Sequence, residues 1–142
     1  MNLSDKLNEI LTDFYNGNKK SSYKKYKKIY LQNNKNIKLR FNLAVMQHEL
    51  GLLNEAEENY LSLIKDSQND KYKINLYKLY INKSYFKKAL NTINSLNSEN
   101  LKIIQISQDK AYLLYILKKY KESIKECNRI LEVDNKNSYV LN

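Results

Sequence analysis

The 142-residue chain contains no proline and no tryptophan, and only two glycines, one cysteine and one histidine. With proline absent and glycine confined to Gly17 and Gly51, the tight turns of β-hairpins have few residues to build them, so long uninterrupted helices are expected in place of a sheet. The lone thiol, Cys127, cannot form an internal disulfide, which suits a reducing compartment and a cytoplasmic location. His48 has no second histidine with which to complete a metal site or a proton relay. Neither a dinucleotide-binding loop nor a phosphate loop can be assembled from two glycines so far apart. No stretch approaches the roughly 18 apolar residues of a membrane span. The opening Met1-Asn2-Leu3-Ser4-Asp5-Lys6 lacks the basic-then-apolar order of a signal peptide. No catalytic residue, metal or cofactor is therefore expected.

What the chain does have is a period. Gly17 and Gly51 stand 34 residues apart, each just after an apolar-periodic stretch, where a helix should stop. A small residue returns at the same interval in Ser22, Ala56, Ala89 and Ser123, and Tyr26 and Tyr60 repeat it again. Self-similarity of 20–50 residues is the mark of a stacked-repeat architecture. Within each period the apolar residues fall into two helical segments. In the second period these are Leu39, Leu43, Met46 and Leu50, then Leu53, Ala56, Tyr60, Leu63 and Ile64. In the fourth they are Ala111, Leu114 and Leu117, then Tyr120, Ile124, Cys127, Ile130 and Leu131, which places Cys127 as a buried structural thiol. Links as short as Asn82-Lys83-Ser84 and Lys118-Lys119 force the two helices of a pair to pack antiparallel.

The stretch Asn42-Leu43-Ala44 through Gly51-Leu52-Leu53-Asn54-Glu55-Ala56 to Tyr60 resembles the tetratricopeptide repeat in residue class and spacing. The likeness continues through Lys118-Lys119-Tyr120-Lys121-Glu122-Ser123-Ile124 and Tyr85-Phe86-Lys87-Lys88-Ala89-Leu90, and covers nearly the whole chain. It departs from the family in lacking the closing proline and in placing bulky Tyr77 where glycine or alanine is usual. The resemblance implies an all-α, right-handed superhelical solenoid of about four antiparallel hairpins in a single domain. The expected repeats are 3–36, 37–69, 70–103 and 104–137, with residues 138–142 opening a further or capping helix.

It also implies a non-catalytic scaffold that binds a protein or peptide, with an acidic one suited to the lysines, in a concave groove lined by the first helices. Projected onto that groove are Tyr15, Phe41, Asn42, Val45, His48, Lys71, Asn75, Lys78, Tyr112 and Tyr115. Aromatic rings give contact at low entropy cost, and asparagine can bond an extended backbone. The plainer alternative is that Phe41, Val45, Tyr112 and Tyr115 only pack between hairpins. The family's chaperone-terminus clamp is matched at Asn42 and Lys71 alone, with Asn75 where arginine belongs and Leu7 and Leu11 in the lysine and asparagine places. The net charge of +10 leaves nucleic acid as a second class of partner, carried by the basic run Lys19–Lys28 and by Lys87 and Lys88. In that run Tyr23, Tyr26 and Tyr30 share one helical face, which favours core tyrosines with solvated lysines. Self-association of a structural module is the third reading.

Overall fold

The computed structural model describes residues 1–141, with side chains through Asp134. Among these residues every regular element is a helix: α1 (Leu3–Tyr15), α2 (Lys19–Gln32), α3 (Ile37–Glu49), α4 (Leu53–Asp66), α5 (Asp70–Asn82), α6 (Phe86–Asn94), α7 (Ser98–Leu101), α8 (Ile104–Ile116) and α9 (Tyr120–Leu141). They pair as the hairpins α1/α2, α3/α4, α5/α6 and α8/α9. The single domain expected from the sequence divides at the boundary between the second and third repeats into two compact units, Met1–Gln68 and the chain from Asn69 onward.

One turn geometry closes all four hairpins. In the first, the amide of Asn18 donates to the Asp13 carbonyl (3.0 Å) and that of Gly17 to Phe14 (3.2 Å), the paired bonds that satisfy the last carbonyls of a helix. Leu52 to Gln47 and Gly51 to His48 repeat the motif, as do Tyr85 to Tyr80 with Ser84 to Ile81, and Lys119 to Leu114 with Lys118 to Tyr115. The motif needs a positive φ at its pivot, supplied at Gly17 (+113°), Gly51 (+78°), Ser84 (+59°) and Lys118 (+63°). The glycine period thus runs on through two residues that are not glycine. The helix starts are periodic too. Asn2, Asn36 and Asn69 cap the first helices of three hairpins, their side-chain oxygens accepting from Asp5 N (2.8 Å), Leu39 N (3.1 Å) and Lys71 N (2.9 Å). The fourth cap is Ile103, which has no such side chain to offer.

In the first unit the core gathers Ile10 and Phe14 from α1, Tyr26 and Ile29 from α2, and Leu39, Leu43 and Met46 from α3. Ala56 and Tyr60 of α4 are also fully buried. Polar bonds fix the stacking of α3 on its neighbours. Arg40 donates from Nε to the Tyr30 hydroxyl (3.0 Å) and from Nη1 to Ser62 Oγ (2.8 Å). Buried Gln47 donates to the Tyr23 hydroxyl (3.1 Å) and accepts from Asn59 Nδ2 (2.8 Å).

In the second unit Leu76, Tyr77, Leu79 and Tyr80 of α5, Ala89, Leu90 and Ile93 of α6, and Ile106, Ala111, Leu113 and Leu114 of α8 form the interior. Tyr77, at a place the family gives to a small residue, is wholly buried, and its hydroxyl donates to Asp109 Oδ2 at 2.6 Å. The larger side chain therefore ties α5 to α8. The small residue of each second helix, Ser22, Ala56, Ala89 and Ser123, is buried, as close approach of paired helices requires. Ser123 also donates from Oγ to the Ala111 carbonyl (2.8 Å).

Several features depart from the sequence reading, among them Ile124, Cys127 and Leu131 of α9, which were expected in the core and are exposed. The third hairpin's second helix is short, and α7 follows it, anchored where Asp70 Oδ2 accepts from Asn97 N (2.9 Å) and Asn100 Nδ2 (2.8 Å). The Asp70 carboxylate thereby ties the segment after α6 back to the start of α5. Residues 138–141 continue α9 where a new helix was expected to begin, and Asn142 lies outside the described residues.

Candidate functional site

The sequence-derived groove residues lie on first helices, and the two units present them differently. In the first unit a cavity of about 250 Å³ opens between α1 and α3, floored by Leu3, Leu7, Leu11 and Leu39, with Lys38 and Asn42 beside it and Tyr26 beneath. Asn42 is half-buried and donates from Nδ2 to the Tyr26 hydroxyl (3.0 Å), so part of its bonding capacity serves the fold. Phe41 is buried, its ring 6.4 Å from that of Tyr60, and acts as packing. Val45 and His48 are half-buried, with His48 edge-on to Tyr60 at 6.3 Å. Tyr15 is exposed and stands edge-to-face with Phe14. Partial burial, then the charge of Glu49, pushes the Tyr15 hydroxyl pKa up.

Leu3 and Lys38 were not among the residues projected from sequence, and Leu7 and Leu11 entered only as departures from the family's chaperone-terminus clamp. Leu7 and Leu11 lie one 34-residue period before Phe41 and Val45, so applying the period backwards from those two positions finds them. Tyr60, placed by the sequence in the apolar pattern of the second repeat, packs against Phe41 and His48. It is fully buried, and its hydroxyl meets no hydrogen-bond partner among the described residues. Burial, with smaller contributions from Glu49 and Tyr15, raises its pKa.

In the second unit Lys71 and Lys78 of α5 are exposed, while half-buried Asn75 donates from Nδ2 to the Lys71 carbonyl (2.8 Å). Tyr112 and Tyr115 of α8 are 50% and 63% exposed, so packing between hairpins does not account for them. Tyr115 meets Tyr120 edge-to-face at 5.7 Å.

The basic run on α2 keeps its rings inside. Tyr23, Tyr26 and Tyr30 are buried or half-buried, and their hydroxyls accept from Gln47, Asn42 and Arg40 respectively. Lys24, Lys25, Lys27 and Lys28 remain exposed. Lys88 sits over the rings of Tyr80 and Tyr85, 5.5 and 5.2 Å from their centres. Among the described residues no group of three or more His, Cys, Asp or Glu is placed to hold a metal ion, and no helix is long and apolar enough to cross a membrane.

No protein-family model and no curated protein sequence matches the chain. Solved structures do. A tetratricopeptide repeat protein from Parabacteroides merdae superposes with a TM-score of 0.80 at 28% identity, over 93% of this chain and 54% of its own. The chain thus spans about half the length of that neighbour. MamA from Desulfovibrio magneticus gives 0.78 at 10% identity, over 90% of this chain and 73% of its own, and another MamA structure gives 0.79 at 15%, over 94% and 73%. Repeat arithmetic, buried small residues and these superpositions agree: the chain is all-α and has the fold of the tetratricopeptide-repeat family.

Proposed function

We propose that this chain is a non-catalytic scaffold for protein–protein interaction, holding a segment of a partner protein on the exposed faces of its first helices. The observation that carries the reading is the α1/α3 cavity, an apolar floor of leucines beside Lys38 and Asn42. Such a surface takes apolar side chains while the polar groups meet backbone or carboxylate. In the second unit Lys71 and Lys78 present positive charge on α5, and Tyr112 and Tyr115 present exposed rings on α8. The chemistry favours an apolar segment with acidic residues in it. The lone thiol fits a reducing compartment such as the cytoplasm.

Photo-crosslinking tests the proposal. A benzophenone side chain in place of Lys38 or Tyr112 should label the same partner protein in the source cell, and one in place of Lys24, on a second helix, should not. Equal labelling from all three positions would overturn it. So would a nucleic-acid complex that weakens steeply with salt and is lost when Lys24, Lys25, Lys27 and Lys28 are neutralised, because that affinity belongs to phosphate contacts.

A further inference from the structure

Helix α2 carries six lysines and no acidic residue. Its inner face, with Ser22, Tyr26 and Ile29, is buried. On the opposite face Lys20, Lys24, Lys27 and Leu31 follow at steps of four, three and four residues, with Lys28 beside them, and all five are exposed. The strip they form is about 16 Å long. Lys19, on the flank of the helix, reaches Glu49 of α3 (3.9 Å). The ammonium groups of Lys20, Lys24, Lys27 and Lys28 are paired with no carboxylate among the described residues. Lys24 stands three or four residues from each of the other three, so like charges repel along the strip. A dense anionic surface laid against it removes that repulsion.

Three features of the strip select the kind of anionic surface. Arginine, whose planar fork grips a phosphate through paired bonds, is missing from α2. The chain's two arginines are engaged elsewhere, Arg40 with Tyr30 and Ser62, and Arg129 with Leu101, Ser107 and Glu126. Lysine is a hydrated point charge on a flexible stem, which suits a diffuse anionic field. Secondly, the α2 rings that could stack on bases face inward. Tyr23, Tyr26 and Tyr30 accept hydrogen bonds from Gln47, Asn42 and Arg40. Thirdly, Leu31 is 61% exposed within the strip. An apolar side chain gains nothing beside a phosphate backbone, whereas at a bilayer it leaves water for the boundary between headgroups and acyl chains.

We propose that this face of α2 rests on an anionic lipid surface, with Lys20, Lys24, Lys27 and Lys28 among the headgroups and Leu31 at the acyl boundary. Clusters of about four to eight basic residues on one helix are of the size that anionic headgroups hold. Charge attraction with a single leucine gives an attachment that salt reverses. None of the five residues lines the α1/α3 cavity, so the lipid contact stands or falls apart from the scaffold function.

The test is flotation of the full chain with vesicles of phosphatidylcholine, alone or with about one third phosphatidylserine. The chain should float with the anionic vesicles only, and binding should fall steeply as salt is raised. Replacing Lys20, Lys24, Lys27 and Lys28 together by glutamine should weaken binding at least about 100-fold, each lysine being worth about five-fold. The same loss of charge at Lys102, Lys119, Lys121 and Lys125, all exposed in the second unit, should change it by no more than about three-fold. Both variants alter exposed side chains alone and should keep the helical circular dichroism. The chain has no tryptophan, so Leu31→Trp is a lone reporter. Its emission should move to the blue with anionic vesicles and stay in place with neutral ones. Equal losses from the two quadruple variants would reduce the effect to net charge and overturn the proposal. So would equal binding to neutral vesicles, no binding at low salt, or an unshifted Leu31→Trp emission. A complex with duplex DNA tighter than that with anionic vesicles at the same salt would assign the face to nucleic acid instead, and overturn it too.

Discussion

The four hairpin pivots allow one torsional cost to be measured at four places. The ideal left-handed region for residues with a Cβ lies near φ of +50 to +70°. Ser84 (+59°) and Lys118 (+63°) sit inside it, Gly51 (+78°) just beyond, and Gly17 (+113°) far outside. A Cβ built on either glycine meets nothing within 4 Å, so substitution there carries no steric clash and reports backbone strain alone. Gly51→Ala should cost about 1–2 kcal/mol, the usual penalty for an L-residue in that region. Gly17→Ala should cost more, because alanine must rotate the pivot by tens of degrees and weaken the Asn18 to Asp13 bond to keep its own φ allowed. Replacing Ser84 or Lys118 by glycine reverses the sign. Relief of about 1–2 kcal/mol is set against roughly 0.5–1 kcal/mol of added chain entropy in the unfolded state, for a net gain of about 0.5–1 kcal/mol each. The two sites belong to different hairpins, so their gains should add within about 0.5 kcal/mol. Urea unfolding followed by circular dichroism reads the four single variants and the Ser84→Gly/Lys118→Gly double variant against wild type. The reasoning fails if Gly17→Ala is as stable as wild type, or if Ser84→Gly destabilises as much as Gly51→Ala.

Other consequences are as direct. Ile103→Asn supplies the missing fourth cap at a position whose backbone is already extended (φ −64°, ψ 125°), and should raise stability by about 1 kcal/mol in the same assay. Tyr60→Phe removes a buried hydroxyl that has no partner among the described residues and should be neutral or stabilising. Tyr77→Phe deletes the 2.6 Å bond to Asp109 and should cost about 1–3 kcal/mol; equal effects from the two would sink this reading. Burial first, and for Tyr77 also Asp109, raises the pKa of Tyr26, Tyr60 and Tyr77 above the ordinary tyrosine value of about 10. Stability is then complete below about pH 10 and falls above it, as the unfolded chain releases protons the folded one keeps, by about 1.4 kcal/mol per pH unit for each tyrosine. Titration at 295 nm should show these three ionising only as the helical signal is lost. Their ionisation in the intact fold would contradict the assigned burial.

Much of the fold is legible because a stacked repeat writes its contacts locally. Ser22, Ala56, Ala89 and Ser123 mark where paired helices approach, and each proves buried. Gly17 and Gly51 mark turns, and each holds a positive φ. Ser84 and Lys118 do the same work unseen, because a Schellman turn asks for a torsion, which glycine prefers and serine or lysine can still adopt. Composition carries no sign of a torsion that a residue adopts against its preference.

The candidate site divides along the same line. The family resemblance projected Tyr15, Lys71, Lys78, Tyr112 and Tyr115 onto first helices, and each is exposed there. Whether Phe41 faces a ligand or Tyr60, whether Asn42 spends its amide on Tyr26, and whether Asp70 anchors α7 are settled by neighbours distant in sequence. Ile124, Cys127 and Leu131 make the contrast plainest. Their spacing is as apolar and as periodic as that of the buried stripe on α6, so sequence alone reads them as core. A helix stripe is buried only if another element lies upon it, and that depends on what stacks in space.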